Sequence, residues 1–324
     1  MAQDSLPTPA ESPVLVHGSV QFDMASKISG RTYRIFVYKP AAPAPPDGYP
    51  VVVVTDGNLM FPLAATLSAA FSLSGGKTAL VVGIGYPGDD VMAAFSQRNR
   101  DLTPPTPLSR IRRIPGLPPP SLENFGGSKQ FSRFIIEELR PAIAAAYPVD
   151  GKDETLFGHS LGGLFTLNVL FKHPKSFRNF VASSPSIWWN RRSLLKGEPA
   201  FSDVIETGQA APRVLILAGE REQEIPATLP PGLTLAQTRA MMRDARMVDN
   251  ARELAERLAG AKGQGGYRVE FHAFEAEDHL TVIGAAVARA LTFALRETAP
   301  KPPRKARKQP SDSKPRRRAT VGRS

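Results

Sequence analysis

The chain has 324 residues, 42% of them hydrophobic, no cysteine and a formal net charge of +11. That length admits a single large α/β domain with insertions. The missing cysteines exclude disulfides, thiolate nucleophiles and cysteine-ligated metals. The charge is local: positions 299–324 carry ten Lys and Arg against one acidic residue, Asp312, which accounts for +9 of the total.

Residues 1–13 are polar and proline-bearing, and read as a flexible arm. They show neither a basic nor an apolar leader segment, and no run approaches the ~18 apolar residues of a membrane helix, so a cytoplasmic location is expected. Val14–Phe22 and Arg31–Tyr38 alternate apolar and polar residues as half-buried strands do. Val51–Val54 and Ala79–Ile84 are continuous apolar runs, the pattern of strands buried on both faces in a parallel sheet. A helix is expected over Pro62–Leu73 between them. From Gly85 to Gly127 prolines crowd the chain and regular structure is not expected. A segment of this kind between strand and helix is usually functional, and is placed over the mouth of a site. Lys129–Tyr147 reads as a helix that Pro141 can kink. Phe180–Ala182, Val214–Ala218 and Tyr267–Phe274 read as strands, and Leu235–Leu258 and Thr281–Leu295 as helices. Strands alternating with helices define an α/β fold with a doubly wound, mostly parallel sheet. A catalytic domain is expected over 14–298. The Pro, Lys, Arg and Ser composition of 299–324 cannot bury a core, so this part is expected to be a disordered basic tail.

The chemistry is concentrated in Thr155–Phe165, which contains Gly158-His159-Ser160-Leu161-Gly162 followed by Gly163. An apolar strand before the motif and a helix after it form the context of a nucleophile elbow. A strained turn there needs neighbours nearly free of side chains, and holds a serine hydroxyl above the sheet. A serine nucleophile needs a base, and His279 is one of five histidines; it lies between the last strand and the last helix, where an α/β-hydrolase base sits. His159, inside the elbow, is read as pointing elsewhere. The acid that orients the imidazole should follow Val214–Ala218, where Glu220, Glu222 and Glu224 are all available and spacing does not choose among them. Asp278 is too close to His279 in sequence to reach it well. The oxyanion hole needs two N–H donors. One should come from Leu161, and the other from the loop after Val54, where Gly57 and Asn58 allow backbone to approach the substrate.

Several ordered motifs carry a resemblance: Thr55-Asp56-Gly57-Asn58, Arg98-x-x-Asp101-Leu102-Thr103-Pro104, Gly126-Gly127-Ser128, the Gly158–Phe165 elbow and Ser184-Pro185-Ser186. Over about 14–296 the chain resembles the putative esterase family of α/β hydrolases, in the branch of enterochelin esterases and siderophore trilactone hydrolases. The resemblance implies an α/β-hydrolase fold with Ser160 as nucleophile, His279 as base, Glu222 as acid, and Asn58 and Leu161 as oxyanion amides. It places Arg98 in the cleft, where it could hold an anionic catecholate, and Trp188 is taken with it as substrate-binding. Leu280 departs from the glycine often found after the histidine, and is expected to narrow the pocket or alter its substrate.

The leading function is therefore hydrolysis of a bulky, siderophore-like carboxylic ester through an acyl-enzyme. No metal or organic cofactor is implied, and any iron belongs to the substrate. The alternatives are a general carboxylesterase, a thioesterase similar to S-formylglutathione hydrolase, or an acyltransferase. From a different class comes a polyanion binder acting through the basic tail.

Overall fold

A computed structural model describes residues 14–88, 90–111 and 120–296. The expected arm over 1–13 and basic tail over 299–324 lie outside the described residues, as does 112–119 of the proline-rich segment. The strands are β1 (Ser19–Ala25), β2 (Thr32–Tyr38), β3 (Tyr49–Val54), β4 (Leu80–Gly85), β5 (Val149–His159), β6 (Asn179–Ser183), β7 (Arg213–Gly219) and β8 (Arg268–Phe274). They form one eight-stranded sheet in the order β1-β2-β4-β3-β5-β6-β7-β8. The β1–β2 and β2–β4 pairs are antiparallel, and every later pair is parallel.

The continuous apolar runs are buried on both faces, as their composition requires. Val51 and Val53 join one hydrophobic cluster while Val52 and Val54 join the other, and Val214 and Ile216 are likewise divided from Leu215 and Leu217. Successive side chains on a strand point to opposite faces, so only a sheet covered on both sides gives this partition. α1 (Gly57–Leu73) and α10 (Val282–Leu295) cover one face. The other is covered by α3 (Ser128–Arg133) with the π-helical turn Phe134–Leu139 after it, α5 (Leu161–Lys172), α7 (Glu198–Glu206) and α9 (Met247–Gly260). This strand order with a helical layer on each side is the α/β-hydrolase fold. No described helix is long and apolar enough to cross a membrane.

Several elements differ from the sequence expectation. α1 begins five residues earlier than expected, at Gly57, because Asp56 adopts a left-handed conformation (φ 55°, ψ 42°) that turns the chain directly into the helix. The expected irregular stretch contains α2 (Val91–Leu102), capped by Asp90, whose Oδ1 accepts from the Met92 and Ala93 N–H groups. The Lys129–Tyr147 helix becomes α3, the π turn and α4 (Arg140–Ala146), with Pro141 in the first turn of α4. A proline there has no N–H to donate and crowds the carbonyl one turn back, and the wider π turn accommodates it. α6 (Trp189–Arg192) is a four-residue turn with Asn190, Arg191 and Arg192 all at positive φ. The Leu235–Leu258 helix breaks at Arg246 (φ 41°) into α8 (Leu235–Ala245) and α9.

Asp101 sits in the last turn of α2, 1% exposed. Burial pushes its carboxyl up to about 7, against the neighbouring Arg31 and Arg100 guanidiniums and the Tyr33 and Tyr86 hydroxyls, which lower it. An unfolded aspartate titrates near ~3.9. The folded state therefore holds a proton that the unfolded chain releases between these values, so this contribution to stability is full below pH ~4 and is lost as pH rises through 7. Asp101→Asn, which stays neutral, should match wild type in urea melts near pH 4 and exceed it by on the order of a few kcal/mol at pH 8. A stability difference independent of pH overturns this account.

Candidate active site

The site lies at the C-terminal ends of the parallel strands, and begins with the turn between β5 and α5. Ser160 occupies its apex at φ 60°, ψ −117°. For a residue with a side chain this conformation costs on the order of 1–3 kcal/mol and persists only where surrounding structure imposes it. Here the imposition is packing. A Cβ on Gly158 would stand 2.2 Å from the Gly162 carbonyl oxygen, one on Gly162 would stand 2.5 Å from Thr55 Oγ1, and one on Gly163 would stand 2.7 Å from the Ser183 carbonyl oxygen. The elbow glycines are thus required by close approach, while the left-handed conformation falls on the serine itself. The Ser160 N–H donates to the Ser183 carbonyl at 2.9 Å, and its own carbonyl accepts from Ser186 N–H at 3.1 Å.

The structure brings Ser160, His279 and Glu222 together. Ser160 Oγ is 3.1 Å from His279 Nε2, and His279 Nδ1 is 2.7 Å from Glu222 Oε2. A carboxylate only accepts hydrogen bonds, so Nδ1 carries the proton and the Nε2 lone pair faces the serine. Of the three candidate glutamates, Glu222 alone has a fully buried side chain. Its Oε1 accepts from Gly219 N–H and Ser184 Oγ, both at 2.6 Å. Glu220 is exposed, and Glu224 pairs with Arg221 at the surface. The turn carrying Glu222 is anchored to α9 by Gln223, which bonds both the N–H and the carboxylate of Asp249. Asp278 instead shapes the loop that presents His279: its Oδ1 accepts from Leu280 and Thr281 N–H.

His159 does not point elsewhere. Its ring centre lies 4.8 Å from that of His279, and its Nδ1 is 3.1 Å from Ser183 Oγ. Burial, then the neighbouring His279 and Arg98, hold its imidazole down to about 3, so it is neutral at ordinary pH. Leu161 begins α5 and Asn58 is the second residue of α1. Their N–H groups are among the first-turn donors that a helix leaves without internal partners. The Asn58 side chain is committed to the backbone of Tyr86: its Nδ2 donates to the carbonyl at 3.0 Å and its Oδ1 accepts from the N–H at 2.8 Å.

Ser160 and Leu161 open into a cavity of about 840 Å³. Its walls include Phe95, Phe125, Trp188 and Trp189, with Arg98, Arg110, Arg191 and Arg192 as cations and Asp244 as the carboxylate. Both predicted substrate contacts, Arg98 and Trp188, line it, but Arg98 is engaged: Nε and Nη2 donate to Asp56 Oδ1 and Oδ2 at 2.6 and 3.1 Å. Leu280 is 72% exposed and is not part of the wall, so it does not narrow the pocket. The described parts of the proline-rich stretch, α2 with Arg110 and Ile111 and then Pro120 to Phe125, line the cavity together with Ser160. Trp189 ties this stretch to the post-β6 segment by stacking on Phe125 at 5.5 Å and donating to Thr106 Oγ1 at 2.9 Å. Ser184, Asp56 and the packing role of His159 were not assigned from the sequence. Ser184-Pro185-Ser186 stood out only as a motif, and no periodicity or spacing links it to an acid 38 residues later.

The family described as Putative esterase matches residues 26–276. Ferri-bacillibactin esterase BesA of Bacillus subtilis is 39% identical over 285 residues, which is 86% of this chain and 89% of the relative. The siderophore triacetylfusarinine C esterase of Aspergillus fumigatus is 34% identical over 257 residues, 75% of this chain and 80% of the relative. The crystal structure of the BES protein from Bacillus cereus superposes with a TM-score of 0.75 at 32% identity, covering 89% of this chain and 100% of that one. By sequence, fold and extent of match, the chain belongs to the Putative esterase family of ester hydrolases.

Proposed function

We propose that this protein hydrolyses a siderophore-like ester by serine catalysis, and the observation that carries the reading is the unbroken Ser160–His279–Glu222 chain of hydrogen bonds opening into the cavity. Ser160 Oγ attacks the ester carbonyl as its proton passes to His279 Nε2. Glu222, buried and acceptor-only, holds the ring and stabilises the imidazolium. The oxyanion is received by the Leu161 and Asn58 N–H groups. Collapse expels the alcohol, which takes the proton from His279 and leaves an acyl group on Ser160. Water, deprotonated by His279, then releases the acid.

The cavity supports a large substrate, since about 840 Å³ is near the top of the ~300–1,000 Å³ range of small-molecule sites. Aromatic walls with Arg110, Arg191 and Arg192 against one carboxylate, beside the Asp56-paired Arg98, suit a polyaromatic or anionic ester better than an acetyl ester. The names of the relatives, esterases of ferri-bacillibactin and triacetylfusarinine C, support the same substrate class. Iron, where present, enters with the substrate. The catalytic unit spans 14–298 and works in the cytoplasm, and the tail over 299–324 adds contact with polyanions.

Ser160→Ala should abolish turnover of p-nitrophenyl esters and of a siderophore trilactone, a loss on the order of 10⁴–10⁶ in kcat, with circular dichroism unchanged. Retention of a tenth of wild-type turnover rules Ser160 out as the nucleophile. Glu222→Gln places an amide where three donors converge, and should lower kcat by roughly 10²–10⁴ with little change in KM; an unaltered kcat removes Glu222 from the mechanism. Trp188→Ala should raise KM for an aryl-bearing siderophore ester by about threefold to tenfold, the worth of an aromatic contact, while p-nitrophenyl acetate is hydrolysed as before. Equal effects on both substrates mean that Trp188 supports the wall instead of touching the substrate. Removal of 299–324 should leave small-ester kinetics intact and weaken salt-sensitive binding to heparin, whereas a fall in kcat places the tail in the site.

A further inference from the structure

The Arg98–Asp56 pair is unusual for its position. Asp56 is the residue before α1, in a left-handed conformation that only glycine and a few polar residues adopt readily. Its carbonyl accepts from both Leu59 and Met60 N–H, so its backbone sets the first turn of the helix. Its carboxylate receives the bidentate fork of Arg98 from α2, with the two side chains 9% and 20% exposed. Beside it the elbow comes close to the residues that follow β3. A Cβ on Gly162 would stand 2.5 Å from Thr55 Oγ1 and 3.4 Å from Asp56 Oδ2.

The two residues after Asp56 are equally constrained from the other side. A Cβ on Gly57 would stand 2.8 Å from Ile84 N, and the Asn58 amide clasps the backbone of Tyr86. The Asp56–Asn58 turn is therefore held against β4 by Asn58 and against α2 by the ion pair. Two planar groups joined by parallel hydrogen bonds fix direction as well as distance. An oxyanion donor is effective only if its N–H already points at the place where charge develops.

We infer that Arg98 is a positioning residue: through Asp56 it holds the Gly57–Asn58 turn so that the Asn58 N–H faces the oxyanion formed at Ser160. This inference rests on the proposed assignment of Asn58 to the oxyanion hole. It gives Arg98 a task other than holding an anionic substrate, and ties α2, part of the cavity wall, to the reacting centre.

The experiment uses the full-length chain with Arg98→Met, Arg98→Lys, Asp56→Asn, the Arg98→Met/Asp56→Asn double variant and Gly57→Ala. Kinetics are measured on p-nitrophenyl butyrate, which is neutral, and p-nitrophenyl hemisuccinate, which is anionic. Inhibition by a phenylboronic acid supplies a tetrahedral oxyanion mimic. Arg98→Met and Asp56→Asn should each lower kcat on both esters by roughly tenfold to a hundredfold, within the loss expected for a misplaced oxyanion donor. KM should stay within about threefold, and boronate affinity should fall by the same factor as kcat. Arg98→Lys should recover part of the loss. The double variant should be no slower than either single variant, because both act through one contact. It leaves no unpaired buried charge, so it keeps the test available if a single variant fails to fold.

A rise in KM confined to the hemisuccinate makes Arg98 a substrate contact and overturns the inference, as do multiplying losses in the double variant. If kcat survives in the pair variants while Gly57→Ala is crippled, the oxyanion turn stands and the pair does not position it. If Gly57→Ala is also unimpaired, the oxyanion assignment itself fails.

Discussion

The arrangement depends on how closely α5 is drawn against the ends of β3, β5 and β6. Three glycines permit that approach, and each has a backbone or side-chain atom standing where a Cβ would go. With α5 at this distance the chain has no room to turn except through φ 60° at Ser160. The strain is offset by what it places. The serine hydroxyl stands clear of the sheet, and the next N–H, that of Leu161, begins a helix with no internal partner. Net stability is small, and a local cost of 1–3 kcal/mol is sustained only where many contacts share it.

The segment after β6 transmits that constraint to the acid. Ser183 accepts the Ser160 N–H through its carbonyl and meets His159 through its hydroxyl. Ser184, itself at φ 44°, donates its N–H to Leu217 O and its hydroxyl to Glu222. Ser186 N–H returns to the Ser160 carbonyl. The same short loop therefore supports the nucleophile turn, the neighbouring imidazole and the carboxylate. The loops bearing Glu222 and His279 are joined as closely: Arg221 N–H donates to Glu277 O, and a Cβ on Gly219 would stand 2.4 Å from that oxygen.

Features governed by local pattern were legible in the sequence. The doubly buried strands showed as runs such as Val51–Val54, and the elbow as glycines around Ser160. His279 could be chosen by chain order because few histidines competed. The choice of Glu222 needed the resemblance, since what separates it from Glu220 and Glu224 is burial, a tertiary property. α2 escaped notice because Ser96-Gln97-Arg98-Asn99-Arg100-Asp101 shows a polar face to any periodicity test, while its inward contacts are made by Ala94, Arg98 and Leu102. The Arg98–Asp56 pair spans 42 residues, and nothing local marks either partner. His159 misled for a related reason: a residue beside the nucleophile on the strand was read as directed away from it, whereas the sharp turn brings its ring onto His279.

Charge at the site is arranged so that one imidazole changes state. In the proposed reaction His279 becomes an imidazolium with the tilted His159 ring 4.8 Å away. A second cation at that distance would oppose it by roughly 3–4 kcal/mol at an effective dielectric near 20, enough to slow proton transfer more than a hundredfold. Burial prevents this by holding His159 neutral down to about pH 3. Arg98 adds a permanent positive charge nearby, which also helps hold the His159 imidazole down, and it is paired with the Asp56 carboxylate at 2.6 Å. Glu222 is the anion bonded to His279, at Nδ1 on the side away from the serine. The developing positive charge is thus attracted along the Nδ1–Oε2 axis, while Nε2 remains free to exchange its proton with Ser160 and with the leaving alcohol.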